Sequence, residues 1–243
     1  MFNTLKENIQ TYFKEQSTIE KDKLVTCILL DFPELKKSSI NVYLSRLKKE
    51  GIIQNPSRGI YALKEMNLYI PTIDIQLKRL FKKIKKNLPF IDLCIWNTKW
   101  LNEFMLHQPF RFYTVLEIEK DAIESVFYFL KEQGKAVFIE PDADTFDLYI
   151  NNNEDVIILK QLITESPLEE MKNIIIPSLE KLLVDMTIDT KLYSAQQGEI
   201  KFIYTSAFEK YAVNKNRMKR YAYRRNRENE VEKLTNLTLA NIA

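Results

Sequence analysis

Several residue types that build catalytic and cofactor sites are scarce in this chain of 243 residues. Its one histidine, His107, excludes zinc motifs that need two or more histidines. Its four glycines stand singly, so no glycine-rich phosphate loop of the Walker or dinucleotide type can form. The composition therefore predicts no metal site and no cofactor.

Cysteines and long apolar runs are equally sparse. The two cysteines, Cys27 and Cys94, lie far apart in apolar surroundings, which is typical of free thiols in a reducing compartment. No apolar run approaches the roughly 18 residues of a membrane span, and the first residues lack the apolar core of a signal peptide. These features predict a cytoplasmic protein with no membrane partner.

Charge is unevenly distributed along the chain, although the formal net charge is only +3. Residues 64–86 contain seven basic and two acidic side chains, and residues 210–227 contain eight basic and no acidic ones. Residues 87–209, in contrast, contain 10 basic and 21 acidic side chains. Such segregation indicates either contact with nucleic acid or docking of a basic segment on an acidic body.

The first 63 residues have the pattern of three helices followed by a hairpin. Apolar residues recur at helical spacing over 4–16 and 20–31, and a third helix is expected to start at Ser38 or Ser39 as N-cap and to end at Gly51. Two short strands, 52–54 and 60–63, flank a turn that contains Pro56 and Gly59. The stretch SSINVYLSRLKKEGIIQNPSRGIYAL resembles DNA-binding winged helix-turn-helix domains.

The third helix carries the candidate DNA-binding residues. If its apolar side is buried, its opposite side is free to enter the major groove of duplex DNA. Asn41 and Arg46 are then the candidate base readers, and Arg58 at the hairpin tip is a candidate for contact with an adjacent backbone or minor groove. The side chains suited to phosphates are Lys37, Ser38, Ser45 and Lys49. A solvated helix face or a protein-interaction module would show the same pattern.

The rest of the chain predicts a second domain. Residues 71–88 have the pattern of a basic amphipathic helix that links the domains. Strands are expected near 90–96, 112–118, 136–139, 145–150, 156–159 and 174–176, with helices at 120–133, 178–189, 199–213 and 215–240. The predicted fold class is α+β, with a winged helix over 1–63, a linker helix over 64–88, and an α/β domain with basic C-terminal helices over 89–243.

Carboxylates are the only catalytic material in the second domain. Glu117 and Glu119 lie two residues apart before Lys120, which loosely fits a metal-dependent nuclease. Asp142 and Asp144 loosely fit a nucleotidyltransferase, although no Gly-Ser turn precedes them. Such an enzyme is the alternative function, whereas the main prediction is that the protein is not an enzyme and has no catalytic residues.

The stretch PSLEKLLVD at 177–185, taken with the winged helix and the basic C-terminal helices, resembles the AbiEi-like antitoxins of type IV toxin–antitoxin systems. The matching positions are Ser178, Glu180 and Asp185, while Leu179 stands where that family often has proline. The resemblance implies a transcriptional autoregulator that binds double-stranded DNA at its own promoter. It also implies a nucleotidyltransferase-like toxin as functional counterpart, leaves direct contact with that toxin open, and predicts no catalytic residues.

The basic run at 210–227 has two interpretations. At helical spacing Arg217, Arg220 and Arg224 fall on one side, next to Arg225, so this helix is a candidate for phosphate contact. Alternatively, its arginines pair with the acidic body and its tyrosines pack there.

Overall fold

The computed structural model describes residues 2–13, 18–63 and 68–242. It contains 54% helix and 16% strand, which confirms the α+β class. The chain forms two compact units, one from the amino-terminus to position 67 that also takes in the end of the chain from Leu239, and one over Leu68–Thr238. Within the described residues, no helix is long and apolar enough to cross a membrane. The predicted domain boundaries stay a prediction.

The first unit combines three helices with a small antiparallel sheet. The strand order is β1-β3-β2, so the last strand lies in the middle. The elements are α1 (Phe2–Phe13), β1 (Thr18–Glu20), α2 (Lys21–Asp31), α3 (Lys37–Lys49), β2 (Ile53–Ser57) and β3 (Ile60–Leu63). Strand β1 was not predicted, because three residues are too few to show an alternating pattern.

One apolar cluster holds this unit together. Leu5 and Ile9 of α1 and Ile28 of α2 are at most 1% exposed, as is Leu44 of α3. Each of these helices turns an apolar stripe toward the same core, which is the usual source of stability for short helices. Gly51 has φ +66° and ends α3 as predicted, since this left-handed conformation suits glycine.

The start of α3 differs from the prediction. The helix begins at Lys37, and its N-cap residue is Lys36, which makes no capping hydrogen bond with its side chain. Ser38 and Ser39 therefore lie inside the first turn, and neither is the N-cap. Burial of Ile40, Leu44 and Leu47 stabilises the first turns of the helix, which therefore begins before the two serines that were expected to cap it.

The second unit is built on a four-stranded mixed sheet. The strands are β4 (Leu93–Asn97), β5 (Thr114–Ile118), β6 (Val137–Ile139) and β7 (Ile157–Gln161), in the order β4-β5-β7-β6. Strand β4 is antiparallel to β5, whereas β5, β7 and β6 are parallel. Helix α4 (Ile75–Asn87) packs against β4, and α5 (Ile123–Lys131) packs against β6 and β7. A 3-10 segment, Thr98–Phe104, follows β4.

The predicted strand at 145–150 is wrong. This segment forms a helical turn, α6 (Ala143–Thr145), that continues into a π-turn over Phe146–Ile150. The Asp142 carboxylate accepts a hydrogen bond from the Thr145 backbone N–H at 2.8 Å and so caps the turn. Among residues 145–150 only Ile150 is buried, so the local cap prevails over the strand-like side chains.

A hairpin and five helices complete the second unit. Strands β8 (Leu168–Met171) and β9 (Ile174–Pro177) are joined by Lys172 and Asn173, which both have positive φ, as a tight hairpin turn requires. Strand β8 was not predicted, because it is polar. The helices are α7 (Leu179–Ile188), α8 (Ser194–Gln197), α9 (Ile200–Lys210), α10 (Lys215–Arg224) and α11 (Glu228–Ile242), of which α11 belongs to this unit only as far as Thr238.

Candidate nucleic-acid interface and buried ionic cluster

Helix α3 separates its apolar and polar residues onto opposite sides. Ile40, Leu44 and Leu47 are buried in the core of the first unit. The predicted contact residues are polar or basic and all exposed: Lys37, Ser38, Asn41, Ser45, Arg46 and Lys49. The apolar Val42 is also exposed on this helix. No acidic residue occurs anywhere in Lys37–Lys49. The helix is thus fixed by one face and presents positive charge and hydrogen-bond donors on the other.

Arg46 is engaged within the unit. Its Nε donates to Glu50 Oε1 at 3.1 Å, and its guanidinium lies 4.0 Å from the centre of the Phe2 ring. Partial burial raises the pKa of Glu50, but the charges of Lys6 and Arg46 outweigh this effect and keep that pKa below its usual value. Glu50 is therefore ionised at neutral pH, and Arg46, a predicted base reader, is paired with it through Nε.

The hairpin of β2 and β3 supplies one more candidate. Arg58 lies at its tip and is exposed. Gly59 follows with φ +78°, a conformation that glycine adopts without strain, and its carbonyl accepts a hydrogen bond from the Lys21 N–H at 2.8 Å. This bond ties the tip of the hairpin to the start of α2, so the backbone next to Arg58 is held in place.

The predicted basic helix corresponds to α10, and most of its arginines are paired. Arg217 binds Glu169 and also donates to the Leu168 carbonyl at 2.8 Å. Arg224 makes two hydrogen bonds to the Glu165 carboxylate. Arg225 binds Asp185 at 2.7 Å, whereas Arg220 is exposed. Three of the four arginines thus face carboxylates of their own unit, in the arrangement expected of a basic segment docked on an acidic body.

Ser178 and Glu180 are two of the three positions that match the AbiEi-like antitoxins. Their side chains connect α7 to α10. Ser178 is the N-cap of α7, as predicted, and its hydroxyl donates to Glu180 Oε2 at 2.6 Å. The other oxygen of Glu180 accepts a hydrogen bond from the Asn214 N–H at 2.8 Å. Asn214 is the N-cap of α10, so this carboxylate receives the amino-terminal end of that helix.

Asp185, the third position, belongs to a buried ionic cluster centred on Lys181. The Lys181 ammonium is fully buried and donates to Glu117 at 2.6 Å and to Asp185 at 2.5 Å. The Tyr221 hydroxyl donates to Asp185 at 2.9 Å, and the Trp96 indole donates to Glu117 at 3.1 Å. Strand β5, helix α7 and helix α10 therefore meet at one set of charges.

Burial and charge act in opposite directions on these groups. Burial lowers the pKa of Lys181, but Asp185 and Glu117 outweigh it, so that pKa lies well above its ordinary value. Burial raises the pKa of Asp185, but the charges of Lys181 and Arg225 outweigh it and lower that pKa. Burial, together with the charge of Asp185, raises the pKa of Tyr221 to about 12. Lys181 and Asp185 are therefore charged at neutral pH, and Tyr221 is a neutral donor.

Sequence reasoning missed Lys181, although a signal was present. Lys181 and Asp185 lie four residues apart in a helix whose neighbouring positions are almost all apolar. A lysine and an aspartate at this spacing within an apolar stretch indicate a buried ion pair rather than a solvated face. Asp185 was found only through the family resemblance, and its basic partner was left out.

The carboxylates of the enzyme alternatives have other partners. Glu117 binds Lys181 and Trp96, while Glu119 accepts a hydrogen bond from the Asp92 N–H at 3.0 Å. Asp142 caps α6. In the described part of the chain, no group of three or more histidine, cysteine, aspartate or glutamate side chains could hold a metal ion.

Comparison with known proteins gives a family and no relative with an assigned activity. No curated protein matches the chain. A family model described as a family of unknown function, DUF6577, matches residues 39–241, which include α3 from Ser39 onward, the hairpin, the four-stranded sheet and the buried ionic cluster. Because this match covers most of the 243 residues, the chain belongs to the DUF6577 family.

Proposed function

We propose that the chain is a cytoplasmic, DNA-binding transcriptional regulator whose first unit is a winged helix-turn-helix. The observation that carries the proposal is the exposed side of α3, which has polar and basic side chains along the helix around the exposed Val42, while the opposite side is anchored in the core. A rigid helix with this distribution suits the major groove, where side-chain donors meet base edges and phosphates.

The order of elements supports the same proposal. Three helices and a three-stranded antiparallel sheet, in which β2 and β3 form a terminal hairpin, are the parts that a winged helix-turn-helix requires. In this proposal α3 is the recognition helix and the hairpin is the wing. Asn41 reads a base edge, Lys37 and Lys49 contact phosphates, and Arg58 contacts the adjacent backbone.

The proposal includes the role of antitoxin in a type IV toxin–antitoxin system. This part is supported by the resemblance at 177–185 and by the common engagement of Ser178, Glu180 and Asp185 in holding α10 against α7. The DNA partner is then the promoter of the protein's own operon, and the functional counterpart is a nucleotidyltransferase-like toxin.

Asn41→Ala tests DNA recognition. With the DNA upstream of the protein's own gene, fluorescence anisotropy should show a loss of about 1–3 kcal/mol in binding free energy for this variant. Binding to random DNA should change little, because phosphate contacts do not depend on sequence. The control is Asn229→Ala, at an exposed asparagine of α11. No binding of the wild-type protein at low salt, or an equal loss on both DNAs, contradicts the proposal.

The antitoxin role has a separate test. The gene next to that of this protein should encode a nucleotidyltransferase-like protein, and expression of that protein alone should arrest growth. Co-expression of the chain should restore growth. Arrest that persists under co-expression removes the antitoxin role and leaves the DNA-binding proposal standing.

A further inference from the structure

A cleft of about 950 Å³ opens in the second unit, on the side of the sheet opposite the buried ionic cluster. It lies between α4, the 3-10 segment after β4, and the edge of the sheet where the parallel strands begin. Asn97, Thr114 and Ile157 are register partners across β4, β5 and β7, and all three line the cleft. Because these three residues lie side by side across the sheet, the cleft is built on regular secondary structure.

The floor of the cleft is apolar and the rim is polar. Leu77, Trp100, Val156 and Ile157 are all buried, and they form the inner surface. Phe112 lines the same space and is half-buried. A concave site with an apolar inner surface and a few polar groups at its border is the usual form of a small-molecule site.

Four cations gather on this rim, although the surrounding body is acidic. Arg79 and Lys83 lie one turn apart on α4, Lys99 is the second residue of the 3-10 segment, and Lys135 precedes β6. All four are exposed, and none forms an ion pair with a residue that the structure describes. The nearest aromatic contact is that of Lys99 Nζ, 6.0 Å from the Phe112 ring centre.

Two of the three carboxylates that line the cleft are used locally. Asp74 caps α4 by accepting a hydrogen bond from the Leu77 N–H at 2.8 Å, and Glu103 accepts one from the Tyr211 hydroxyl. The third, Asp155, is exposed. The Tyr69 side chain also lines the cleft, and its buried hydroxyl has no hydrogen-bond partner among the described residues. Cations and a spare donor therefore outnumber the available acceptors.

We propose that this cleft binds a small organic anion that combines an aromatic or apolar body with an acidic group. The apolar floor would bury the body, and Lys83, Lys99, Arg79 and Lys135 would neutralise the acidic group at the rim. The site lies within the second unit and does not depend on DNA binding by the first.

The test uses two matched fluorescent probes, anilinonaphthalenesulfonate and its uncharged analogue phenylnaphthylamine. The sulfonate should bind the folded, full-length protein saturably at one site, and the neutral analogue should bind more weakly. The variant Lys83→Gln with Lys99→Gln should weaken sulfonate binding about fivefold, since two exposed charge interactions of about 0.5 kcal/mol each are lost. Binding of the neutral probe should stay unchanged.

The control is Lys82→Gln with Lys86→Gln, which removes the same charge from exposed positions of α4 that do not line the cleft. It should retain wild-type sulfonate affinity. Lys83→Gln with Lys135→Gln provides a second cleft variant should the first lose its fold by circular dichroism. Equal affinities in cleft and control variants, or equal binding of the charged and uncharged probes, would overturn the proposal.

Discussion

Lys181 connects two carboxylates in the core of the second unit. Its ammonium is fully buried between the Glu117 and Asp185 carboxylates, which lie on β5 and α7. Removal of one member of a buried ion cluster leaves the others without compensation, and this commonly costs about 3–5 kcal/mol. We expect Lys181→Met to lower the free energy of unfolding by that amount in urea denaturation.

A second variant separates the charge effect from the loss of packing. Lys181→Met combined with Glu117→Gln removes one cation and one anion together, and Asp185 keeps Arg225 and Tyr221 as partners. This double variant should recover part of the stability that the single variant loses. Equal or greater loss in the double variant would show that Glu117 does not interact with Lys181 in the way the distances indicate.

Asp185 makes stability depend on pH in a defined range. Its pKa in the folded protein is lowered, because the charges of Lys181 and Arg225 outweigh the effect of burial. Its contribution is therefore complete above the unfolded-state pKa of about 4, and it is lost as pH falls through the folded-state value. Asp185→Asn should be less stable than wild type at pH 7.

The same comparison at low pH provides the check. As pH falls below about 4 and through the lowered folded-state pKa, the wild-type carboxylate becomes protonated, so the difference in unfolding free energy between wild type and Asp185→Asn should shrink. Urea denaturation at several pH values measures it. A difference that stays constant over this range would mean that Asp185 does not titrate as the surrounding charges require.

At the level of elements, the contact between α7 and α10 decides where the basic segment lies. Glu180 accepts a hydrogen bond from the Asn214 N–H at the amino-terminal end of α10, and Asp185 binds Tyr221 and Arg225 about two and three turns further along. Glu180→Ala removes the first attachment, so amide hydrogen exchange over 214–224 should become faster while β5 and β7 remain protected.

Glu170→Ala is the matched control for this element. Glu170 is an exposed carboxylate of β8, and its removal should leave exchange in α10 unchanged. If Glu180→Ala accelerates exchange in the central strands as much as in α10, the contact stabilises the whole second unit rather than the docking of one helix.

The same elements explain how much could be predicted from sequence. Helices with a clear apolar stripe and a capping residue, such as α7 behind Ser178, were predicted because both signals are local. The segment at 145–150 was predicted as a strand because its side chains alternate, but the Asp142 cap starts a helical turn there. A side-chain cap and a side-chain pattern compete, and the sequence alone does not show which prevails.

The buried ionic cluster shows a different limit. Glu117, Lys181 and Asp185 come from segments far apart in the chain, and only the sheet and α7 bring them together. Glu117 was considered as a possible metal ligand because it is a carboxylate on a strand. Its actual partner is a lysine 64 residues away, which no local pattern could identify.

At the level of the whole molecule, α3 and the basic segment at 210–227 differ in whether their positive charges are already paired with carboxylates. On α3, Lys37 and Lys49 are exposed, whereas on α10 Arg217 and Arg224 bind Glu169 and Glu165. Release of counterions from DNA requires cations that are free to meet phosphates. Of these two helices, α3 should therefore contribute to the salt dependence of the proposed DNA binding, and the more basic segment at 210–227 should not.

Two double variants with the same change in charge test this. Lys37→Gln with Lys49→Gln should reduce the slope of log K against log salt concentration by about 2, since each lysine accounts for roughly one phosphate contact. Arg217→Gln with Arg224→Gln should leave the slope unchanged. The opposite result, with the slope reduced only by the α10 variant, would mean that these arginines leave their carboxylates when DNA binds and that α10 is the main phosphate-binding surface.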